Sequence, residues 1–288
     1  MTPTKRKAGS PSGSVQPAAV GPWADAPIHL QELLALAGDL ARAAGQIHAE
    51  GRHSALRIET KSSPTDLVSQ VDREAERMIV ERLRELRPDD AVLGEEGALG
   101  QGTSGVRWVI DPLDGTTNYV YGYPAFAVSI AVEVEGQPQI GVVFDSSAGR
   151  MYRAIGGFGA ECDGQAIRAR KQPDLSTALV GTGFSYEAAQ RERQGSVVAQ
   201  VLGHVRDIRR GGAAALDLCH VAAGHVDAYW ELDLSPWDYA AGAVIAQEAG
   251  AEVAYPRAAH GHGPAVVAAH HSLMPAFLEL LHDTGALA

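Results

Sequence analysis

The sequence predicts a mixed helix and strand fold in two parts, an α+β domain over residues 28–165 followed by a smaller α/β domain over residues 166–288. Three patterns carry that expectation. Apolar residues recur at helical spacing in two early segments, they alternate at strand spacing in the middle of the chain, and beyond residue 166 short strands alternate with helical stretches. With 288 residues, 45% of them hydrophobic, the chain can bury a large core.

Taken in order, residues 1–27 carry Lys5, Arg6 and Lys7 and are then rich in Gly, Pro and Ser. Such a composition offers no apolar stripe to offset the entropy of ordering, so a disordered tail is expected. From Leu30 onward Leu33, Leu34, Ala37, Leu40, Ala41, Ala44 and Ile47 fall on one helical face, which Gly51 closes. A second helix opens at a capping box formed by Ser69 and Asp72, runs along Val71, Ala75, Met78, Ile79, Leu83 and Leu86, and stops at Pro88. Phe126, Val128, Ile130, Val132 and Val134 then alternate as a strand up to Gly136. Residues 139–144 and 150–155, with a turn at Asp163-Gly164, extend this into an antiparallel sheet covered by the two helices. In the second part, strands at 178–181 and 265–268 alternate with helices at 196–206, 213–224 and 238–249. No internal repeat of fixed period is present.

Charge and cysteine usage narrow the function. A net charge of −11 disfavours a nucleic-acid backbone as partner, because that partner asks for a basic face. Cys162 and Cys219, the two cysteines, lack metal-ligand spacing and suggest neither a disulfide framework nor a zinc site, which fits a reducing cytoplasm. No run of residues is long and apolar enough for a membrane span, and no secretory signal is read.

The chemistry concentrates at Trp108-Val109-Ile110, a run of strand character that leads into Asp111-Pro112-Leu113-Asp114-Gly115-Thr116-Thr117-Asn118. Pro112 is expected to stop the strand, Gly115 to permit a tight turn, and Thr116 onward to start a short helix. Two carboxylates three residues apart across such a turn can converge, and the helix start offers free N–H groups to a phosphate. Two like charges about 4 Å apart repel by roughly 4 kcal/mol at an effective dielectric near 20, so a carboxylate cluster calls for a cation. Ligands that are all oxygen select a hard ion such as magnesium, manganese or calcium. Two further acidic sites stand elsewhere, Glu95-Glu96 after a short strand and Asp238 in Ser235-Pro236-Trp237-Asp238. Each has a bland use of its own: Asp-Gly makes turns, an acidic pair is usually solvated, and Ser235 with Asp238 makes a capping box.

Together these segments resemble the inositol monophosphatase family, whose two signatures look like residues 108–119 and 237–242, with Gly94-Glu95-Glu96 upstream. The resemblance spans about residues 30–285. It implies a layered αβαβα sandwich and a homodimer that is sensitive to lithium. It also implies two or three Mg²⁺ ions per site, held by Glu95, Asp111, Asp114, Asp238 and the carbonyl of Leu113. By the same resemblance, Thr116 and Glu95 would orient and deprotonate a metal-activated water for in-line attack, with Lys61 and Asp72 helping to place metal and water. Backbone N–H groups of Gly115 and Thr116, next to Thr117, would bind the phosphate. Glu231 would face the substrate's hydroxyls, with Ser185, Arg209, Gly212, Ala213 and Ala214 nearby and Asp238 also in reach. The family commonly carries Ser or Thr where Ala213 stands.

The implied activity is release of phosphate from a small polyol phosphate. Gly115-Thr116-Thr117-Asn118 favours inositol 1-phosphate, since the nucleotide-phosphate branch resembles Gly-Thr-Lys at that turn. Histidinol phosphate or another sugar phosphate is the alternative, and a further alternative is a protein-interaction module associated with transcription machinery. His260, His262, His270 and His271 read as a solvated loop rather than a metal cluster, because Gly261 and Gly263 break any helix that would align them. Tyr229, Trp230 and Trp237 read as core.

Overall fold

The computed structural model describes residues 23–52, 58–60, 67–97, 99–261 and 263–288. Lys61 and His262 therefore lie outside the described residues, as do residues 1–22 of the expected tail.

Helix α1 (Ile28–Gly51) buries Leu30, Leu33, Leu34, Ala37, Leu40, Ala41 and Ala44 on one face, as their spacing dictates. A two-stranded ribbon of β1 (Ile58–Thr60) and β2 (Leu67–Ser69) leads into α2 (Gln70–Leu86), which buries Val71, Ala75, Ile79 and Leu83. Both helices cover one face of a sheet made from β3 (Ala91–Gly94), β4 (Leu99–Gly100), β5 (Val106–Asp114), β6 (Ala127–Val134), β7 (Gln137–Asp145), β8 (Arg150–Ile155), β9 (Gly159–Cys162) and β10 (Gln165–Ala166). Its order is β10-β9-β8-β7-β6-β5-β3-β4, antiparallel except where β3 runs parallel to β5. The short helix α3 (Thr116–Tyr121) leaves the end of β5.

A second sheet has the order β12-β11-β13-β15-β14, from β11 (Leu179–Thr182), β12 (Asp207–Arg209), β13 (Ala228–Leu232), β14 (Ala251–Ala254) and β15 (Ala265–His270). Helices α4 (Ala188–Val201) and α7 (Met274–Asp283) pack on its outer face through Val201, Phe277 and Leu281. Helices α5 (Ala214–Ala222) and α6 (Pro236–Glu248) lie between the two sheets, where Val109, Ala131 and Val143 of the first meet Tyr229 and Val266 of the second across Leu218 and Ile245. The layers run αβαβα. Both middle helices come from beyond residue 166, so one core passes through the two segments that the sequence separates. Gly141 of β7 lets α6 approach closely: a Cβ there would run into the Ala241 carbonyl.

Four sequence expectations are corrected. The end of the tail is not free, since Trp23 and Ala26 are buried and the Trp23 indole N–H donates to the Gly159 carbonyl at 3.1 Å. One aromatic ring is enough to anchor a segment whose composition is otherwise that of a linker. Pro112 does not stop β5, which continues to Asp114 through a register shift between Asp111 and Asp114; a bulge tolerates the missing N–H that a regular ladder would not. The helix expected at 196–206 occupies Ala188–Val201 instead, because its first turns are polar and carry no stripe, while residues 207–209 pair with β11. Leu86, placed on the buried stripe of α2, is exposed at the end of that helix.

Candidate active site

The bulge in β5 carries two carboxylates, Asp111 and Asp114. Asp111 is buried and its Oδ1 accepts the Leu113 N–H at 2.9 Å, closing the loop on itself. Asp114 is also buried, and its Oδ2 accepts the Ala215 N–H at the start of α5 at 2.8 Å. Behind the loop, His48 of α1 holds the Pro112 carbonyl through Nε2 at 2.9 Å and Ser146 through Nδ1 at 2.8 Å. A carbonyl can only accept, so Nε2 carries the proton and Nδ1 accepts from the serine hydroxyl. Burial lowers the His48 pKa to about 4, which keeps the ring neutral.

Gly115 turns the chain with φ 87°, and a Cβ there would stand 2.8 Å from the Ala125 carbonyl and 3.2 Å from the Ala213 side chain. Only glycine meets both demands. Gly212 and Ala213, which the resemblance sets near the substrate, therefore lie directly against the expected phosphate loop. Thr116 is buried, and its hydroxyl stands 2.8 Å from Asp72 Oδ1 of α2 and 3.0 Å from the Leu113 carbonyl. Thr117 Oγ1 is buried without a hydrogen-bond partner among the described residues.

Glu95 follows β3, and its N–H donates to the Ile110 carbonyl at 3.2 Å, which fixes it beside β5. Asp238, in the first turn of α6, accepts the Ser235 N–H on Oδ2 at 2.7 Å and so caps the helix. Burial raises the Asp111 and Asp238 carboxyls well above the usual range, and each is raised further by the charges of Glu95 and Asp114. Asp114 rises to about 8 through burial, against the Ala215 N–H, with Glu231, Asp217 and Glu95 adding repulsion. Four carboxylates drawn from three elements thus act on one another. Among the described residues no three His, Cys, Asp or Glu side chains already surround a point where a metal could sit. The carboxylates are in charge contact without being closed on one point.

A cleft of about 440 Å³ opens beside them, lined by Glu95, Ser185, Glu231, Asp233, Trp237 and Asp238 among others. Trp237 therefore faces the cleft, whereas Tyr229 and Trp230 are core as expected. Glu231 accepts a short hydrogen bond from the Tyr229 hydroxyl. Burial raises its pKa, with Tyr229 and Arg210 opposing. Arg209 is exposed, and its Nη1 is taken by Asp207 at 2.6 Å and by the Ile208 carbonyl. Its neighbour Arg210 folds its guanidinium over Gly212. His270 and His271 stack with ring centroids 3.9 Å apart, and His270 pairs with Ser272.

Sequence reasoning missed Asp217 and His48, and it gave Asn118 no role as a tether. Asp217 is buried on α5 with its pKa raised by burial and by Glu231; the signal was a lone acid inside an apolar helix. Asn118 Nδ2 donates to the Ala125 carbonyl at 2.7 Å and the Gly211 carbonyl at 2.9 Å, tying α3 to the loop before α5. His48 stood in the sequence as one more polar residue near the end of an apolar stripe.

Comparison with known proteins places this arrangement. The family model described as "Inositol monophosphatase family" matches residues 29–285. The chain is 47% identical to an inositol-1-monophosphatase of Mycobacterium leprae over 80% of its own length and 83% of that protein. It is 41% identical to a Nus factor SuhB of Vibrio cholerae over 78% and 85% respectively. Among solved structures, Mycobacterium tuberculosis SuhB superposes with a TM-score of 0.77 at 41% identity, covering 90% of this chain and 98% of that one. A Thermotoga maritima IMPase superposes with a TM-score of 0.79 at 29% identity, covering 88% and 98%. On the extent of that match and on the order of its carboxylate segments, this chain belongs to the inositol monophosphatase family.

Proposed function

We propose that the chain is a magnesium-dependent phosphomonoesterase that releases phosphate from a small polyol phosphate, with inositol 1-phosphate as the preferred ester. The observation that carries this reading is the group of four carboxylates, buried Asp111 and Asp114 with half-buried Glu95 and Asp238, in mutual charge contact beside a cleft. Their donor set fits a hard divalent cation, with the Leu113 carbonyl as a fifth oxygen. Magnesium bound there would supply positive charge and an activated water.

The chain's own groups divide the remaining work. The Thr116 hydroxyl donates toward Asp72 or Leu113, which leaves its lone pairs to accept a hydrogen bond from water and orient it. Glu95 stands at the cleft as the second acceptor. Lys61 belongs to this proposal through the resemblance alone. The free N–H groups of Gly115, Thr116 and Thr117 bind nonbridging oxygens; α3 has only six residues, so its dipole adds little and the cation carries most of the anion binding. Glu231 accepts hydrogen bonds from ring hydroxyls, with Ser185 and the turn at Gly212-Ala213-Ala214 shaping the wall. A cytoplasmic homodimer is the setting the resemblance implies.

Phosphate release from a panel of esters, in magnesium and in excess chelator, tests the reading. Inositol 1-phosphate should turn over only with magnesium, and millimolar lithium should lower the rate. Robust turnover in chelator overturns the cation's role; a preference for histidinol phosphate moves the substrate to the alternative. The relatives named Nus factor SuhB favour a second reading, association with transcription machinery. Retention of the whole carboxylate set favours the enzyme.

A further inference from the structure

Tyr229 and Glu231 lie two residues apart on β13 and so share the face of the second sheet that meets α5 and α6. Trp230 and Leu232 alternate to the opposite face, under α4 and α7. Tyr229 is fully buried. A ring that only filled space there could be a phenylalanine, whereas a buried hydroxyl needs a partner. Its partner is the Glu231 carboxylate, which lines the cleft. Among the described residues no other hydrogen bond holds that carboxylate. The neighbouring strands leave room for the pair. Gly181 of β11 stands opposite Tyr229, and a Cβ on it would come within 3.3 Å of the ring. Gly183, two residues on, lies against Glu231, where a Cβ would overlap the carboxylate. On the other side β15 sets Ala268 opposite Tyr229 and Val266 opposite Glu231, and neither side chain can donate.

We infer that Tyr229 is a positioning residue for substrate specificity: its hydroxyl, bonded to Glu231 beside the bare backbone of Gly181 and Gly183, fixes that carboxylate as the acceptor for the substrate's hydroxyls. The bond falls on Oε2. A carboxylate has about four acceptor sites, so one bond from Tyr229 leaves capacity for the hydroxyls of an ester. A side chain already held in place loses less freedom when the ester binds than one that must be fixed at that moment. The donor also opposes burial, which pushes the Glu231 carboxyl up towards its neutral form. Without the hydroxyl the carboxylate is free to turn, and the loss falls on esters that offer it hydroxyls. An ester whose leaving group presents none has no such dependence.

The inference rests on the polyol-phosphatase reading, and the two fail differently. In the magnesium-loaded enzyme, kcat and KM are measured for inositol 1-phosphate and for p-nitrophenyl phosphate in the wild type, Tyr229→Phe, Glu231→Ala and the double variant, with the melting temperature of each. Tyr229→Phe should raise KM for the inositol ester about tenfold, the scale of one hydrogen bond to a charged group, while kcat changes less than about twofold. The preference for the inositol ester over the aryl ester, as a ratio of kcat/KM, should fall by a similar factor. Glu231→Ala should lower that ratio at least as far. Adding Tyr229→Phe to Glu231→Ala should then change it less than about twofold, since no carboxylate is left to place. A wild type that prefers no polyol phosphate overturns the substrate reading and this inference with it. A wild-type preference that persists in Tyr229→Phe, or a second fall of similar size in the double variant, overturns the role of Tyr229 alone. A lowered melting temperature with both esters slowed alike makes the hydroxyl structural and overturns it too.

Discussion

At the scale of single residues, the site is governed by what each carboxylate is asked to do besides bearing charge. Asp114 holds the Ala215 N–H, a bond that Asn can keep through its carbonyl oxygen. Asp114→Asn should therefore leave the fold intact and be neutral or stabilising in chelator, where it removes repulsion. Turnover in magnesium should fall by at least about a hundredfold, on the order of 3 kcal/mol in the barrier. Melting temperature and rate measured together decide the matter: retained activity denies the ligand role, and an unfolded apo-protein would make Asp114 a turn residue. Thr116 offers a sharper contrast. Thr116→Ser keeps the hydroxyl that reaches Asp72 and should keep most of the rate, whereas the isosteric Thr116→Val should lose about a hundredfold as water loses its acceptor. Equal rates in the two variants would remove Thr116 from the chemistry.

At the scale of elements, the start of the chain carries an anchor. The Trp23 ring lies under the Arg153 guanidinium, 5.0 Å from its centroid, and Arg153 in turn pairs with the buried Glu161. Deleting residues 1–22 should leave the melting temperature nearly unchanged, while Trp23→Ala should cost about 3 kcal/mol, as removal of a buried aromatic does. Chemical denaturation of the two variants separates these outcomes; equal stability would mean that the ring contributes nothing. Between the sheets, Gly141→Ala should destabilise more than an exposed Gly→Ala change, because its Cβ would meet the Ala241 carbonyl of α6, and backbone cannot swing away as a side chain can. Since Asp238 sits in the first turn of α6, this substitution should also lower activity, measurable as a loss of kcat at temperatures below the melting transition.

For the whole molecule, the buried carboxylates make stability depend on pH. Asp114 has its folded pKa raised from 3.8 to about 8, so its protonated form contributes stability that is complete below 3.8 and lost as pH rises through about 8. Asp111, Asp217, Asp238 and Glu231 shift in the same direction. His48 works the other way, depressed from 6.5 to about 4, and its contribution is complete above 6.5 and lost as pH falls through about 4. Between pH 7 and 9 the His48 ring is neutral throughout and Asp114 titrates. The melting temperature in chelator should therefore fall over that interval. Added magnesium binds the deprotonated carboxylates, so the gap between the magnesium and chelator melting curves should widen from pH 7 to 9. A gap that narrows would contradict the cluster's assignment as a cation site.

The sequence by itself determined the parts whose cause is local. Apolar spacing made α1 and α2 legible, alternation made β6 legible, and the turn chemistry of Gly115 and the cap at Ser235 and Asp238 followed from residues a few positions apart. The order of the acidic segments was enough to bring the metal-ligand set into view through resemblance. What only the tertiary structure decided lies where the cause is a distant neighbour. Pro112 reads as a strand end until β6 and His48 are seen to hold a bulge around it. Trp23 reads as part of a tail until Gly159 and Arg153 supply its partners. Arg209 and Arg210 are indistinguishable in sequence, and what separates them is that Asp207 takes the first while the second folds back over Gly212. Spacing along a chain records what a residue needs from its own helix or strand; which charge meets which across three layers is fixed by how those layers close.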